Sequence, residues 1–353
     1  MRARHIAIFS ARPRAGSSAA SGWPKMHRPE PDLAVPRFNL HDLGWNKVSF
    51  LEALLDGLSR PQKMIPCQFL YDRRGMRYFE QICRLPEYYL QRTEIRILQS
   101  HAPEIAELIG ADAVLYELGG GSSAKTPILL DKLDTPYAYV PIDVSRDELI
   151  SASTEIAAAY PDLRVEAVCG DYAQPQMLPD VESSGRPIAF FPGSTIGNLS
   201  HREAVALLKQ WRARLGSSGL MIVGVDLKKD PELINLAYND NQGVTAAFIK
   251  NVLQRANREA EADFDCEAFR YEGRYDEEDG CVHMNLISRR DQDVHIGALD
   301  FYFAHDEALH VEDSHKYAPE EFAEIACSGG FSVAQVFTDP RKLFSVQILS
   351  AGC

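Results

Sequence analysis

The chain has 353 residues, 45% of them hydrophobic and 25% charged, and a formal net charge of −13. That is globular composition, long enough for two domains or one large domain with an insertion. The acidic balance argues against a nucleic-acid backbone as partner, since phosphate binding needs clustered Lys and Arg. No apolar run approaches the ~18 residues of a membrane span. The seven cysteines are scattered with no CxxC pair, which points away from a disulfide framework or a zinc knuckle. The expectation is a reduced, cytoplasmic, monomeric protein without nucleic-acid or membrane partners.

Residues 1–34 are basic and small-residue-rich, and their apolar stretch IAIF is too short for a secretory core. They read as a disordered tail, or as sequence upstream of a natural start at Met26. Residues 46–60, NKVSFLEALLDGLSR, repeat apolar positions at helical spacing until PQKMIP stops them. MRYFEQICRL predicts a second helix, and TEIRILQSHAPEIAELIG a helical lead into a domain. From residue 113 the texture changes. AVLYELG, YAYVPID, VEAVCGD, PIAFFPG and GLMIVGVDL are short β-type runs separated by helix-type runs. Strands alternating with helices predict βαβ units and a doubly wound, Rossmann-like α/β sheet. Residues 228–315 differ: helical sequence, then the strand-like runs CVHMNLISRR and DVHIGALDFYFA. This reads as an inserted α+β block. A last helix, PEEFAEIACSGG, and two strand runs, FSVAQVFTD and KLFSVQILSA, return to the sheet, the last as an antiparallel partner.

The strongest local signal is YELGGGSSAKTP, a strand, a glycine turn and a helix start. Gly119, Gly120 and Gly121 permit a sharp turn and close approach of a ligand to backbone. The run is neither GxxxxGK[ST] nor strict GxGxxG, so a phosphate loop is unsupported. Asp143 ends the next strand, 22 residues beyond Gly121, where a carboxylate can accept from both hydroxyls of a ribose. Asp171 and Tyr172 follow the third strand at the same sheet edge, suited to an adenine amino group and ring. An adenosine-type ligand follows, and the missing phosphate signature favours S-adenosylmethionine over NAD.

Taken together, FLYDRRGMRYFEQICRLPEYYLQRTE, ELGGGSSAKT, AVCGDY, GSTIGNL, AYNDNQGVTAAFIKNVL and EDSHKY resemble the histidine Nα-methyltransferases of the ergothioneine pathway, from about residue 60 to the C-terminus. The resemblance implies a methyltransferase domain (93–227 plus 316–353) and a histidine-recognition domain (35–92 plus 228–315). It implies trimethylation of the α-amino group of L-histidine to hercynine, with S-adenosyl-L-homocysteine as the other product. It places Gly119, Gly120, Gly121, Lys125, Asp143, Asp171 and Tyr172 on the cofactor, with Lys125 at the methionine carboxylate. It places Tyr71, Tyr88, Gly193, Asn198, Tyr238, Met284, Glu312 and Ser314 on the substrate.

The residue types suit those roles. Asn198 and Tyr238 can donate to an α-carboxylate. Glu312 and Ser314 can hold the two imidazole nitrogens, Glu312 as a charged acceptor, while Met284 packs on the ring. Tyr71 is the candidate for orienting or deprotonating the amine, and tyrosine faces suit a growing trimethylammonium. Singly these signals are weak: Tyr88 reads as a helix-end core residue, Glu312 as a surface charge, Met284 as core filler. GSTIGNL stands evenly between turn chemistry and ligand contact. His305, His310 and His315 recur every five residues, a spacing that makes no metal-ligand pattern, so no metal is expected. Some positions depart from the family. The glycine turn is Gly-Gly-Gly, Val311 precedes Glu312, and Asp313 and His315 flank Ser314. An extra acid and imidazole near the ring could redirect the site to a histidine derivative or another small amino acid or amine.

Overall fold

The computed structural model describes residues 38–43, 49–121 and 124–352. The expected tail, 1–34, lies outside them. In chain order the elements are β1 (Asn39–Asp42), α1 (Phe50–Leu58), α2 (Arg73–Ile82), α3 (Leu90–Ile109), β2 (Val114–Leu118), α4 (Thr126–Leu130), β3 (Ala138–Asp143), α5 (Arg146–Ala159) and β4 (Arg164–Cys169). They continue with β5 (Pro187–Phe191), α6 (His201–Leu215), β6 (Leu220–Asp226), α7 (Pro231–Tyr238), α8 (Val244–Glu259), β7 (Phe269–Asp276) and β8 (Cys281–Ser288). The chain closes with β9 (Gln292–Ile296), β10 (Leu299–Phe303), β11 (Ala308–His315), α9 (Pro319–Ser328), β12 (Phe331–Thr338) and β13 (Phe344–Ala351).

Eight strands form one sheet in the order β1-β4-β3-β2-β5-β6-β13-β12. β2 pairs in parallel with both β3 and β5, and β13 runs antiparallel to β6 and β12. This is the doubly wound α/β sheet read from the sequence, with the order reversing at β2. β2 and β6 are buried along their whole length, because helices cover both faces; that is why they read as continuous apolar runs rather than alternating ones. Buried side chains on the two faces build separate apolar cores, one around Leu115, Ile188 and Phe190, the other around Trp211, Phe191 and Phe322.

Three local features depart from the sequence reading. Asn39–Asp42, grouped with the recognition domain, extends the large sheet by pairing in parallel with β4. DVHIGALDFYFA is a tight hairpin of β9 and β10 rather than one strand, turning at Gly297 with φ +60°, where only glycine is unstrained. ALHVEDSH, read only as motif, is β11, the edge of a three-stranded antiparallel sheet ordered β11-β8-β7. Its pairing with β8 slips between His310 and Glu312. Val311 is the extra residue, a β-bulge that reverses which side chains face inward. Leu309 and Val311 are buried before the slip, Glu312 and Ser314 after it.

Candidate active site

One cavity collects residues from widely separated elements. Its wall includes Tyr71, Tyr88, Gly119, Lys125, Gly193, Asn198, Tyr238, Met284, Glu312 and Ser314. All eight expected substrate residues are therefore on one surface, together with Gly119 and Lys125 from the expected cofactor set. Gly120, Gly121 and Asp143 lie just beyond. A second cavity beside them is lined by Val144 and Ser145, and Tyr71 borders both. Asp171 and Tyr172 do not line the first cavity. They follow β4 and Gly170, whose N–H donates to the Asp143 carbonyl at 3.0 Å, so they share a sheet edge with Asp143.

The glycine loop is shaped by its neighbours. Gly119 has φ +83°. A Cβ on Gly120 would stand 2.5 Å from Pro141 Cβ, so the backbone lies flat on β3. Gly121 N–H donates to Asp143 Oδ2 at 3.0 Å, and Ser145 N–H to Oδ1 at 2.8 Å. Burial raises the Asp143 carboxyl above its usual range, and those two N–H donors oppose the rise. Each carboxylate oxygen keeps a lone pair for a ligand hydroxyl. Backbone free to approach, a fixed acid at the second strand end and an adjoining aromatic suit a nucleoside with a small polar tail, as S-adenosylmethionine requires.

Lys125 does not stand alone. Its Nζ is 2.5 Å from Glu94 Oε2, and Gly193 N–H donates to both Glu94 oxygens at 3.0 and 2.9 Å. A Cβ on Gly224 would meet Glu94 Oε1 at 2.1 Å, so Gly224 leaves the room Glu94 needs. Beside it Glu117 accepts from Thr126 Oγ1 at 2.5 Å and from Tyr139 Oη. Burial pushes Glu117 up to about 7. Sequence reasoning missed Glu94 and Glu117; Glu94 sits in the family-like run QRTE, the one signal for it.

On the opposite wall, Asn198 belongs to a short helical turn, Thr195–Asn198, after β5. Gly197 lets that turn rest on β11, because a Cβ there would meet the His315 carbonyl at 2.7 Å. The approach brings Asn198 Nδ2 to Glu312 Oε1 at 2.9 Å. Tyr71 Oη lies 3.5 Å from the same oxygen. Met284 is the cross-strand partner of Glu312. Glu312 is 6% exposed, and burial lifts its carboxyl to about 8. Tyr238 Oη and Ser314 Oγ are 2.9 Å apart. The sequence reading sent Asn198 and Tyr238 to one end of the substrate and Glu312 and Ser314 to the other; the structure couples each donor to one of the ring-reading residues. Burial and the Glu312 carboxyl push the Tyr71 phenol well above its ordinary range.

Aromatic rings complete the lining. Tyr71 stands 5.7 Å from Phe79 and 5.4 Å from Phe248 between centroids, and Tyr88 stands 6.5 Å from Phe79 and 6.2 Å from Tyr238. Phe79 and Phe248 escaped the sequence reading because a lone Phe on an amphipathic helix looks like core. Asp313 and His315 point to the other face of β11. Asp313 pairs with His283 at 2.7 Å and His310 at 3.5 Å, and His315 Nδ1 donates to the Gly197 carbonyl at 3.0 Å. Among the described residues, the cluster with metal-ligand spacing is Cys281, His283 and Asp313; of the three histidines weighed above, none is in it.

The family model for histidine-specific, S-adenosylmethionine-dependent methyltransferases matches residues 50–351. The chain belongs to that family. It is 38% identical over 297 residues to the histidine N-alpha-methyltransferase of Mycolicibacterium smegmatis, covering 83% of this chain and 92% of that one. It is 33% identical over 300 residues to ergothioneine biosynthesis protein 1 of Neurospora crassa, covering 82% of this chain and 34% of that one. A crystal structure of an S-adenosylmethionine-dependent methyltransferase from Clostridium acetobutylicum superposes with a TM-score of 0.44 at 12% identity, over 80% of this chain and 99% of that one. This methyltransferase uses S-adenosylmethionine as cofactor and acts on a small amino-acid substrate. No helix among the described residues is long and apolar enough to cross a membrane.

The raised acid in its wall has a measurable consequence. An acid whose folded pKa is above its unfolded one holds its proton longer when folded, so stability falls as pH rises between the two values. For Glu312 that window runs from 4.5 to about 8. Glu312→Gln is expected to raise the melting temperature of the ligand-free enzyme at about pH 8.5 and to change it little near pH 4.5. Equal shifts at both pH values, by calorimetry, would remove the titration from the explanation.

Proposed function

We propose that this enzyme trimethylates the α-amino group of L-histidine to hercynine, the first step of ergothioneine biosynthesis, acting as a cytoplasmic monomer. The observation that carries the reading is the Glu312 carboxylate, 6% exposed and bonded to Asn198 at 2.9 Å, on the same cavity as the glycine loop and Lys125. A buried carboxylate facing a small polar ligand calls for a partner with an N–H, and the imidazole of histidine supplies one. A side chain without it leaves Glu312 with only the Asn198 and Tyr71 donors at Oε1 and no ligand donor, and an unmet buried polar group costs about 1–3 kcal/mol.

The remaining roles follow from position. Gly119, Gly120 and Gly121 with Lys125, Asp143, Asp171 and Tyr172 hold the cofactor, which when bound supplies an electrophilic sulfonium methyl. Gly193, Asn198 and Tyr238 face the amino-acid backbone, Met284 packs on the ring, and Glu312 with Ser314 reads it. Tyr71 orients the amine rather than deprotonating it, because burial keeps its own proton in place. The arc of Tyr71, Phe79, Phe248, Tyr88 and Tyr238 presents ring faces and edges to an ammonium that gains methyl groups and loses N–H donors, an exchange that favours aromatic contact. Residues 35–92 with 228–315 serve as the recognition part and 93–227 with 316–353 as the cofactor part, with β1 as a structural strand of the latter's sheet. Asp313 and His315 face away from the cavity, so they give no reason to move the substrate away from histidine.

The test is mass spectrometry of the enzyme with S-adenosylmethionine and histidine. Mono-, di- and trimethylated histidine are expected in succession, each intermediate also acting as substrate, and tryptophan is expected to give no product. Turnover of another amino acid in preference to histidine would sink the reading.

A further inference from the structure

The cavity wall that carries Tyr238 and Ser314 is backed by a cation. Lys316 is 1% exposed, and its Nζ lies 2.6 Å from Tyr238 Oη, 2.7 Å from Ser314 Oγ and 3.1 Å from Asp226 Oδ2. An ammonium has three protons and no lone pair, so all of these contacts are donations and both hydroxyl oxygens accept. The two hydroxyls also bond each other at 2.9 Å. One of their own protons is spent between them, and the other is left for whatever fills the cavity. Tyr238 and Ser314 line that cavity; Lys316 stands behind them.

Asp226 offers Lys316 only a shared counter-charge. Lys229 Nζ holds Asp226 Oδ1 at 2.6 Å, and Tyr89 Oη donates to both Asp226 oxygens at 3.1 and 2.9 Å. Two buried ammonium groups thus divide one carboxylate, with Asp339 adding a more distant negative charge felt by Lys229. Burying an incompletely matched cation is costly unless a bound group completes the balance. The Tyr238 hydroxyl in front of Lys316 marks where an anionic group would complete it.

We propose that Lys316, held by Ser314, is a positioning residue that acts through Tyr238 to make this wall select a substrate with a free carboxylate. The proposal rests on the reading of the cavity as an amino-acid site. With Lys316 behind it and Ser314 donating to it, the Tyr238 hydroxyl presents its proton in a positive field, which favours an anion over a neutral carboxamide. Glu312, two residues earlier on the same face of β11, supplies the opposite polarity. The amino acid is then read in one direction, its acid end at Tyr238 and its ring N–H at Glu312. Motif reading passed over Lys316 because a lysine following Ser314 and His315 looks like a solvated charge.

Steady-state kinetics of wild type, Lys316→Met and Lys316→Gln on histidine and histidinamide test this. In Lys316→Met the KM for histidine is expected to rise about tenfold or more with a smaller change in kcat, as expected when a charged hydrogen-bond partner is lost. The wild-type preference for histidine over histidinamide is expected to shrink by a similar factor, with cofactor affinity within about twofold. Lys316→Gln, which keeps N–H donors without the charge, should regain part of the KM and little of the preference. It also carries the comparison if the Met variant fails to fold. Equal losses on histidine and histidinamide, with the preference intact, would show a purely structural lysine and overturn the proposal. Failure of the wild type to methylate histidine would overturn the functional reading itself, a result separable from any variant.

Discussion

Glu312→Ala is expected to weaken histidine binding by about 100-fold while changing cofactor affinity by less than about threefold. The size follows from burial. Glu312 is 6% exposed, so its contact with an imidazole N–H is made away from water, and losing that acceptor strands a buried N–H. Removing the carboxylate also leaves Asn198 Nδ2 without the acceptor it holds at 2.9 Å, and frees Asn198 to lose its orientation. The cofactor should be spared, because the glycine loop is tied to Asp143, not to β11. Calorimetric titration with each ligand decides it. Equal collapse of both affinities would mean that the two parts of the cavity do not act as separate recognition surfaces.

Asp143→Ala is expected to do the reverse, lowering cofactor affinity by about 100-fold through loss of charge-assisted bonds. Two effects add here. The carboxylate is lost as an acceptor for ligand hydroxyls, and Gly121 N–H and Ser145 N–H lose the partners they hold at 3.0 and 2.8 Å. The loop then lacks its anchor to the end of β3. Asp143→Asn should be milder, since its side-chain oxygen can still accept one of the two backbone bonds. Cofactor titrations of both variants give the check: an alanine variant that binds S-adenosylmethionine as well as wild type would remove Asp143 from the cofactor site. Histidine affinity measured without cofactor should change little in either.

Much of the architecture was legible because burial writes itself into sequence. β2 and β6 are covered on both faces, so they appear as unbroken apolar runs, and the amphipathic stretches between them appear as helices. The glycine loop and Asp143 were legible because a sharp βα turn and an acid at the next strand end follow from backbone conformation and spacing, both local properties. β1 was not legible, since a four-residue edge strand, Asn39–Asp42, carries too few positions for a period. Phe79, Phe248, Glu94 and Lys316 were not legible because a side chain facing a cavity has the same composition as one facing a core or an ion-pair partner.

The sequence by itself determined the doubly wound sheet, the α+β block between residues 228 and 315, and the residue types available at the site. Only the tertiary structure decided which way β11 faces. Alternation along a strand puts His310 and Glu312 on one side, yet the Val311 bulge separates them, turning Glu312 and Ser314 inward and leaving His310 and Asp313 paired outside at 3.5 Å. A bulge is set by pairing with β8, a partner more than twenty residues away, and the contact of Asn198 with Glu312 spans 114 residues. Neither has a local energetic signature, because each is stabilised by what the folded chain places opposite it.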